Sequence, residues 1–473
     1  MLFSSIEFIF LFLPVSLAGY FIISRLLGEN ARLVWLALCS IFFYGYWKLG
    51  YVPLLIGSVV VNYTIAHFIT KFTAGESLKK PKALRFLLVG IAFNLSVLGY
   101  FKYIDFAIDN LNALTGASLG SFDLVLPLAI SFFTFQQIAY LVDSYKGIVA
   151  RNSFLNYFVF VTFFPQLIAG PIVHHKEMMP QFVRRTIGTL RWKHLLAGGL
   201  IFSIGLFKKI VIADHFATYV ELGYASHDQL TFWDAWIATL AYTFQLYFDF
   251  SGYSDMAIGA ARMFGIRLPV NFFSPYKALS IQDFWRRWHM TLSRFLRDYV
   301  YIPLGGGRRG NGRVAANLMT TFLLGGLWHG AGGTFVIWGA IHGVALVIGR
   351  VFAGVGAQLP LIAKWALTFA VVHFGWVFFR ADNIDQALDI LTIMFSVTPE
   401  MLAGPSTAVF DGGKRALVEL LVVLAAVLAL PNSMQLSKDV RPLWKTILGG
   451  ILFGVACTSM VASRSQVFLY FNF

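Results

Sequence analysis

Long apolar stretches alternate with short polar segments along nearly the whole chain. A helix of about 20 apolar residues is enough to cross the hydrocarbon core of a membrane. The pattern predicts ten membrane-crossing helices, near residues 5–23, 34–47, 52–70, 86–101, 124–142, 195–213, 233–250, 361–379, 416–431 and 446–463. The predicted fold is therefore all-α: a polytopic integral membrane protein whose residues 1–473 form a single membrane domain.

Three further apolar segments do not fit this series of crossings. If residues 153–172 crossed the membrane fully, the basic stretch Lys176 to Lys193 would lie outside, on the opposite side to the other basic loops. Residues 314–328 and 333–349 are short for a crossing. Re-entrant structure is tolerated in membranes where protein or water covers the backbone. We therefore predict that these segments enter from the cytoplasm and turn back.

The composition and the distribution of charge support a membrane protein with a defined orientation. Hydrophobic residues make up 58% of the chain and charged residues only 13%, too few to cover a soluble protein of this length. Of the 37 Lys and Arg residues, 29 fall in alternate loops, namely 24–33, 71–85, 143–194, 251–313, 350–364 and 432–445. The positive-inside rule places these loops in the cytoplasm and both termini outside. The net charge of +14 is thereby explained without nucleic acid as a partner.

Residues 280–300 predict a helix that lies at the cytoplasmic surface. Ser280 and Asp283 have the spacing of a helix N-cap. One face is apolar and consists of Ile281, Phe284, Trp288, Leu292, Phe295 and Tyr299. The opposite face carries Arg286, Arg287, Arg294 and Arg297, directed towards water and phosphates. His289 falls on the boundary between the two faces, from which it can point into the protein.

His329 interrupts the apolar sequence between the two short segments and is expected at membrane depth. An ionisable group at such depth is costly, so it is a candidate functional residue. A histidine titrates near neutral pH and can take a proton from a hydroxyl group. Packing between helices with satisfied hydrogen bonds is the alternative interpretation.

Two carboxylates stand at the cytoplasmic end of a predicted crossing. Asp249 and Asp255 could coordinate a cation or cap the helix that follows. We expect capping, together with pairing to Arg262 or Arg267.

The remaining candidate ligands are scattered. Cys39 and Cys457 lie in different predicted crossings, so neither a disulfide nor a metal site is expected. His67, His342 and His373 are isolated within apolar runs, for which structural roles are expected.

Taken in order along the chain, a set of motifs resembles the membrane-bound O-acyltransferase family, in particular its bacterial branch of alginate O-acetylation. The similar segments are 1–14, 126–136, 164–171, 247–255, 271–276, 283–289, 297–306, 327–330 and the aromatic ending 468–473. They cover nearly the whole length of the chain.

The resemblance implies a helical fold with a funnel or tunnel through its core, here approximately residues 120–380. It implies that His329 is the catalytic histidine and that His289 is a second residue of the same site. Substrate or donor binding is expected of five neighbours in the matching motifs: Trp285, Arg286, Arg287, Asn271 and Trp328. The cluster of arginines would attract the phosphates of the donor, although any cytoplasmic interfacial helix carries similar residues.

The implied activity is transfer of an acetyl group from a cytoplasmic thioester to an extracytoplasmic polysaccharide such as alginate. The expected donor is acetyl-CoA, used as a substrate, and no tightly bound cofactor is expected. The other expected partners are membrane lipids and a periplasmic acetyltransferase or relay protein. The expected location is the bacterial inner membrane, with both termini periplasmic. D-alanyl transfer to teichoic acid, acylation of a lipid, and transport of an acyl group without chemistry are alternatives.

Overall fold

The computed structural model describes residues 1–73, 80–149, 152–183, 188–308, 310–397, 401, 407–410, 412–440, 442–462 and 469. The regular structure in these residues is helical throughout, as predicted. Seven helices within the described ranges are long and apolar enough to cross a membrane: Glu7–Leu27, Leu49–Thr73, Lys80–Lys102, Trp192–Ala225, Gly333–Val351, Leu361–Arg380 and Leu443–Ala462.

Other helices coincide with predicted crossings but are shorter or longer than expected. Glu29–Gly45 has 17 residues, Ile130–Tyr145 has 16 and Gly413–Ala429 has 17. Phe232–Met263 extends over 32 residues, well beyond the predicted 233–250. The all-α, polytopic class is thus confirmed, and the number of crossings stays a prediction.

The chain forms two compact units. The first consists of residues 1–203, 253–270 and 439–450, and the second of residues 204–252, 271–438 and 451–473. The core of the first unit contains a cluster of phenylalanine rings, including Phe3, Phe8 and Phe43. The second unit holds both histidines that the sequence singles out.

The segment 153–172 is irregular, as its sequence suggests. Helix Phe154–Thr162 ends at Phe163, where the chain turns before a second helix of four residues. The break frees the carbonyl of Phe160, which accepts hydrogen bonds of 2.7 Å from the side-chain amides of both Gln136 and Gln166. Buried side chains therefore satisfy the backbone at the break, as a break at membrane depth requires.

The two segments that flank His329 are complete helices. Gly310–His329 has 20 residues and Gly333–Val351 has 19. At a rise of about 1.5 Å per residue, each is close to the thickness of the hydrocarbon core. Gly333–Val351 is among the helices long and apolar enough to cross, so its predicted shortness is wrong. The first helix is longer than predicted because the polar turn at Gly310–Arg313 belongs to it, and its re-entrant course stays a prediction.

Glycines allow these two helices to approach each other at backbone distance. A Cβ atom on Gly326 would collide with the carbonyl oxygen of Phe335 on the second helix. A Cβ atom on Gly339 would collide with the carbonyl oxygen of Phe322 on the first. Small residues at a helix–helix contact permit this close packing in membranes. The hairpin holds His329 at the end of its first helix.

Replacing Gly326 by alanine is expected to destabilise the protein. The added methyl group has no room against the Phe335 carbonyl, and overpacking of this kind costs about 1–3 kcal/mol. The measurement is the midpoint of thermal unfolding in detergent. Gly312→Ala is the matched control in the same helix, since its added Cβ meets no heavy atom within 4 Å. Equal midpoints for the two variants would contradict the close packing.

A buried ion cluster explains a lysine within a long apolar helix. The ammonium group of Lys209 lies 2.8 Å from a carboxylate oxygen of Asp214 and 2.7 Å from one of Asp249. Asp249 also accepts a hydrogen bond of 3.1 Å from the backbone N–H of Leu469. The expected pairing of Asp249 with an arginine is therefore wrong: its partner is Lys209, whose charge requires compensation inside the protein.

Candidate active site

His329 lies in an aromatic environment at the C-terminal end of its helix. Its side chain is almost completely buried, with 2% of the residue exposed. The ring contacts those of Trp328, Trp338 and Phe379, with centroids 4.9, 5.0 and 5.1 Å away. These rings shield the histidine from water, and a water-excluding site strengthens the polar interactions inside it.

His289 lies at a break in the helix that the sequence predicts over 280–300. Ser280 caps the first helix, Ile281–Trp285, by accepting a hydrogen bond of 3.1 Å from the Asp283 N–H, as expected. The chain then leaves helical geometry, and a second helix begins at Met290. The prediction of one continuous helix is wrong, although His289 does point into the protein as expected.

The backbone of His289 is left-handed, with φ of 40° and ψ of 52°. Residues other than glycine rarely adopt this conformation, although histidine tolerates it better than most. It costs about 1–3 kcal/mol and persists only where surrounding structure imposes it. Here the turn directs the imidazole ring into the protein, where it is 0% exposed.

The segment around Asn271 imposes this turn through the backbone. The N–H of Met290 donates to the carbonyl of Asn271 over 2.9 Å. The N–H of Phe273 donates to the carbonyl of Arg287, also over 2.9 Å. Together these two bonds hold the chain on both sides of His289.

The side chain of Asn271 continues this connection. Its Oδ1 atom accepts from the backbone N–H of Thr291 at 3.3 Å and from the Thr291 hydroxyl at 2.8 Å. The same oxygen lies 3.1 Å from Nδ1 of His289. Asn271 therefore contacts the second histidine directly. The substrate-binding role expected of it from the sequence stays a prediction.

The two histidines lie side by side although 40 residues separate them in sequence. Their ring centroids are 6.4 Å apart, with the planes inclined by 59°. Ring nitrogens lie only about 1 Å from the centroid, so this separation exceeds the 2.7–3.2 Å of a direct hydrogen bond. A reacting oxygen atom between the rings could contact both. Trp328 borders the same space, with its ring 6.0 Å from that of His289.

Burial keeps His289 uncharged. Desolvation penalises the imidazolium ion and lowers the pKa of His289 to about 3. The ring is consequently neutral at physiological pH. It can hold a hydrogen bond, but it takes up a full proton only with difficulty.

Trp285, Arg286 and Arg287, which the sequence also suggests for binding of the donor, differ from one another in their contacts and exposure. The indole N–H of Trp285 donates to Nδ1 of His342 over 3.3 Å, so this tryptophan binds another protein side chain. Nε of Arg287 lies 2.9 Å from a carboxylate oxygen of Asp283. Arg286 is exposed. Of the two arginines, Arg286 is thus the one that the structure leaves accessible to a charged ligand.

Sequence reasoning missed Trp338 and Phe379 as neighbours of His329. Trp338 is 1% exposed, and its indole N–H has no hydrogen-bond partner among the described residues. Phe250 likewise packs edge-on against His289, with centroids 4.8 Å apart. All three occur within ordinary apolar helices, so only the tertiary fold identifies them.

An all-α membrane protein with two buried, neighbouring histidines in an apolar surrounding has the features of an intramembrane enzyme site. The family model of the membrane-bound O-acyltransferases matches residues 144–381. A peptidoglycan O-acetyltransferase from Helicobacter pylori is 43% identical over 100% of this chain and 98% of its own length. A probable alginate O-acetylase from Pseudomonas putida is 39% identical, with 100% of both chains covered. A teichoic acid D-alanyltransferase from Bacillus subtilis is 28% identical over 54% of this chain and 69% of its own.

The chain belongs to the membrane-bound O-acyltransferase family. It is a multi-pass membrane protein and an O-acyltransferase.

Proposed function

We propose that this protein moves an acetyl group from acetyl-CoA in the cytoplasm across the membrane for O-acetylation of an extracytoplasmic polysaccharide. The observation that carries the proposal is the convergence of His289 and His329, whose rings lie 6.4 Å apart in a buried aromatic site. The relatives that span the whole chain are named for O-acetylation of peptidoglycan and of alginate, and both of these polymers carry sugar hydroxyls.

His329 acts as the general base in this reaction. It takes the proton from the attacking hydroxyl as the oxygen forms a bond to the carbonyl carbon of the thioester. The bond between carbon and sulfur then breaks, and His329 returns the proton to the departing thiolate. The products are the acetyl ester and the free thiol. No group other than the thioester and the hydroxyl is consumed.

Positive charge at the cytoplasmic ends of the helices supports a phosphorylated donor. Arg286, Arg308 and Arg313 are exposed. Arginine binds phosphate oxygens through paired, charge-assisted hydrogen bonds. The distribution of basic loops supports an orientation with this region in the cytoplasm, where acetyl-CoA is available, and with both termini in the periplasm.

The acceptor is reached from the opposite side of the inner membrane. A periplasmic acetyltransferase or relay protein receives the acetyl group at that side and passes it to the polymer. Two relatives with different named polymers have similar identities to this chain, 43% and 39%, so they support a sugar hydroxyl as the chemical class.

Membrane vesicles of known orientation test the proposal. Coenzyme A carries several negative charges and does not cross a bilayer unaided. Inverted vesicles, with the cytoplasmic face outward, should therefore transfer the radiolabel of [14C]acetyl-CoA to polysaccharide or to a partner protein. Right-side-out vesicles should transfer none until they are permeabilised. The measurement is radiolabel that remains covalently bound after exhaustive washing.

Vesicles that contain the His329→Ala variant are the control, and they should bind no label covalently. Uptake of label without covalent attachment would favour the transporter. Transfer by sealed right-side-out vesicles would contradict the orientation.

A further inference from the structure

The hydrogen bonds of Asn271 determine which nitrogen of His289 carries the proton. The backbone N–H of Thr291 can only donate, so the Asn271 atom that faces it at 3.3 Å is the carbonyl oxygen. An amide oxygen can only accept. The His289 nitrogen at 3.1 Å from the same atom must therefore be protonated. In a neutral imidazole, the other nitrogen, Nε2, then has a free lone pair.

That lone pair is buried and available. His289 is 0% exposed, and its Nε2 atom has no hydrogen-bond partner among the described residues. Buried polar atoms usually have a partner, so an acceptor without one beside a second histidine is a candidate for a contact with substrate. An acceptor atom in this position is suited to an O–H or N–H donor of a substrate. It is unsuited to an oxyanion, which itself requires hydrogen-bond donors.

We propose that Asn271 is a positioning residue: it fixes the tautomer of His289 so that Nε2 accepts a hydrogen bond from an O–H or N–H group of a bound substrate. The inference rests on the proposed acetyl transfer and gives the second histidine a definite role in it. The acceptor hydroxyl and the amide groups of the pantetheine arm of acetyl-CoA both offer such a donor. His289 takes up no proton in this role, and the hydroxyl proton still passes to His329 and then to sulfur.

Three variants test the role of Asn271 in inverted vesicles supplied with [14C]acetyl-CoA. Asn271→Ala removes the acceptor and releases the tautomer, so the transfer rate per folded protein should fall at least about tenfold, the equivalent of one hydrogen bond. Thr291→Val removes the hydroxyl that donates to Oδ1 of Asn271 and leaves His289 in place, so its rate should stay within about threefold of the wild type. Asn94→Ala is the control for loss of a buried asparagine. The Asn94 amide bonds to Asn62 at 2.6 Å in the other unit, and the rate per folded protein should be unchanged.

Asn271→Asp tests the tautomer through the pH dependence of the transfer rate, which a merely structural role of Asn271 would leave unchanged. The carboxylate still accepts from Nδ1, so the tautomer is kept, but its negative charge stabilises the imidazolium ion and raises the pKa of His289. Below the raised pKa, Nε2 is protonated and cannot accept. A neighbouring opposite charge raises a pKa by about 1–3 units, which takes the pKa of His289 from about 3 to about 4–6. The rate of this variant relative to the wild type should therefore increase as the pH is raised from about 4 to about 7.

Other groups near His289 are the same in both proteins. His329 faces it from the Gly310–His329 helix, and Arg286 and Arg287 precede it on its own segment. Phe250 and Phe272, which pack against the ring from other segments, carry no charge. These groups are common to both proteins, so the ratio of the two rates reports what the carboxylate at position 271 changes.

The kinetic constants identify which substrate His289 holds. A raised KM for acetyl-CoA in Asn271→Ala would indicate the pantetheine amide, and a lowered kcat at unchanged KM would indicate the acceptor hydroxyl. A ratio for Asn271→Asp that is flat with pH, or a loss in Asn271→Ala no greater than in Asn94→Ala, would overturn the proposal. Absence of transfer by the wild-type vesicles would instead overturn the proposed function.

Discussion

Replacing His329 by glutamine is expected to abolish acetyl transfer while the protein remains folded in the membrane. Glutamine has comparable bulk and can form hydrogen bonds, but it cannot accept a proton near neutral pH. Loss of general-base catalysis costs about two to four orders of magnitude in rate. The measurement is acetyl ester formed per unit of membrane-inserted protein, with His329→Ala assayed in parallel.

His373→Gln is the matched control for this experiment. His373 is also buried, at 2% exposure, and its Nδ1 lies 2.8 Å from the hydroxyl of Thr243, a contact typical of a structural histidine. Its replacement should lower the stability of the protein but preserve the rate per folded molecule. If His329→Gln retained near-normal transfer, His329 would not be the base, and the proposed mechanism would be wrong.

The sequence is sufficient to predict the class of fold because most of the helices are recognisable from the length of their own apolar segments. Apolar length alone identifies helices such as Glu7–Leu27 and Lys80–Lys102. The ends of helices are harder to predict from sequence, as the polar first turn of Gly310–His329 demonstrates. Such turns resemble loops in composition, and only the continuation of the backbone hydrogen bonds reveals them.

The break at His289 could not have been predicted from local sequence. Residues 286–289 contain neither proline nor glycine, and the apolar spacing continues through them. The hydrogen bonds that hold the turn come from Asn271 and Phe273, which lie 14 or more residues earlier in the chain. A long-range contact thus overrides the helical preference of the segment.

The same contact explains why the sequence identified Asn271 and His289 without identifying their relation. Both belong to motifs shared with the family, which marks them as important but does not say what each one touches. Trp338 is the converse case. It packs against His329 with ring centroids 5.0 Å apart, yet nothing in its apolar helix distinguishes it from a residue that faces lipid.

Removing the side chain of His289 is expected to impair transfer by about two orders of magnitude, since a misplaced reactant at an active site costs about this much. Arg294→Ala should have a smaller effect. Both residues belong to the same short segment, but Arg294 is half-buried on the Met290–Leu296 helix, and its contribution would be electrostatic. The measurement is the initial rate in inverted vesicles, normalised to inserted protein.

The left-handed backbone at His289 determines which variants are informative. Alanine at φ of 40° carries a conformational cost of its own, about 1–2 kcal/mol, so His289→Ala combines loss of the ring with backbone strain. His289→Gly removes the ring without that strain. Both variants should show the same low rate per folded molecule, and the alanine variant alone should be less abundant. If Arg294→Ala proved more defective than His289→Gly, attraction of the donor would outweigh the second histidine, and His289 would lose its place in the active site.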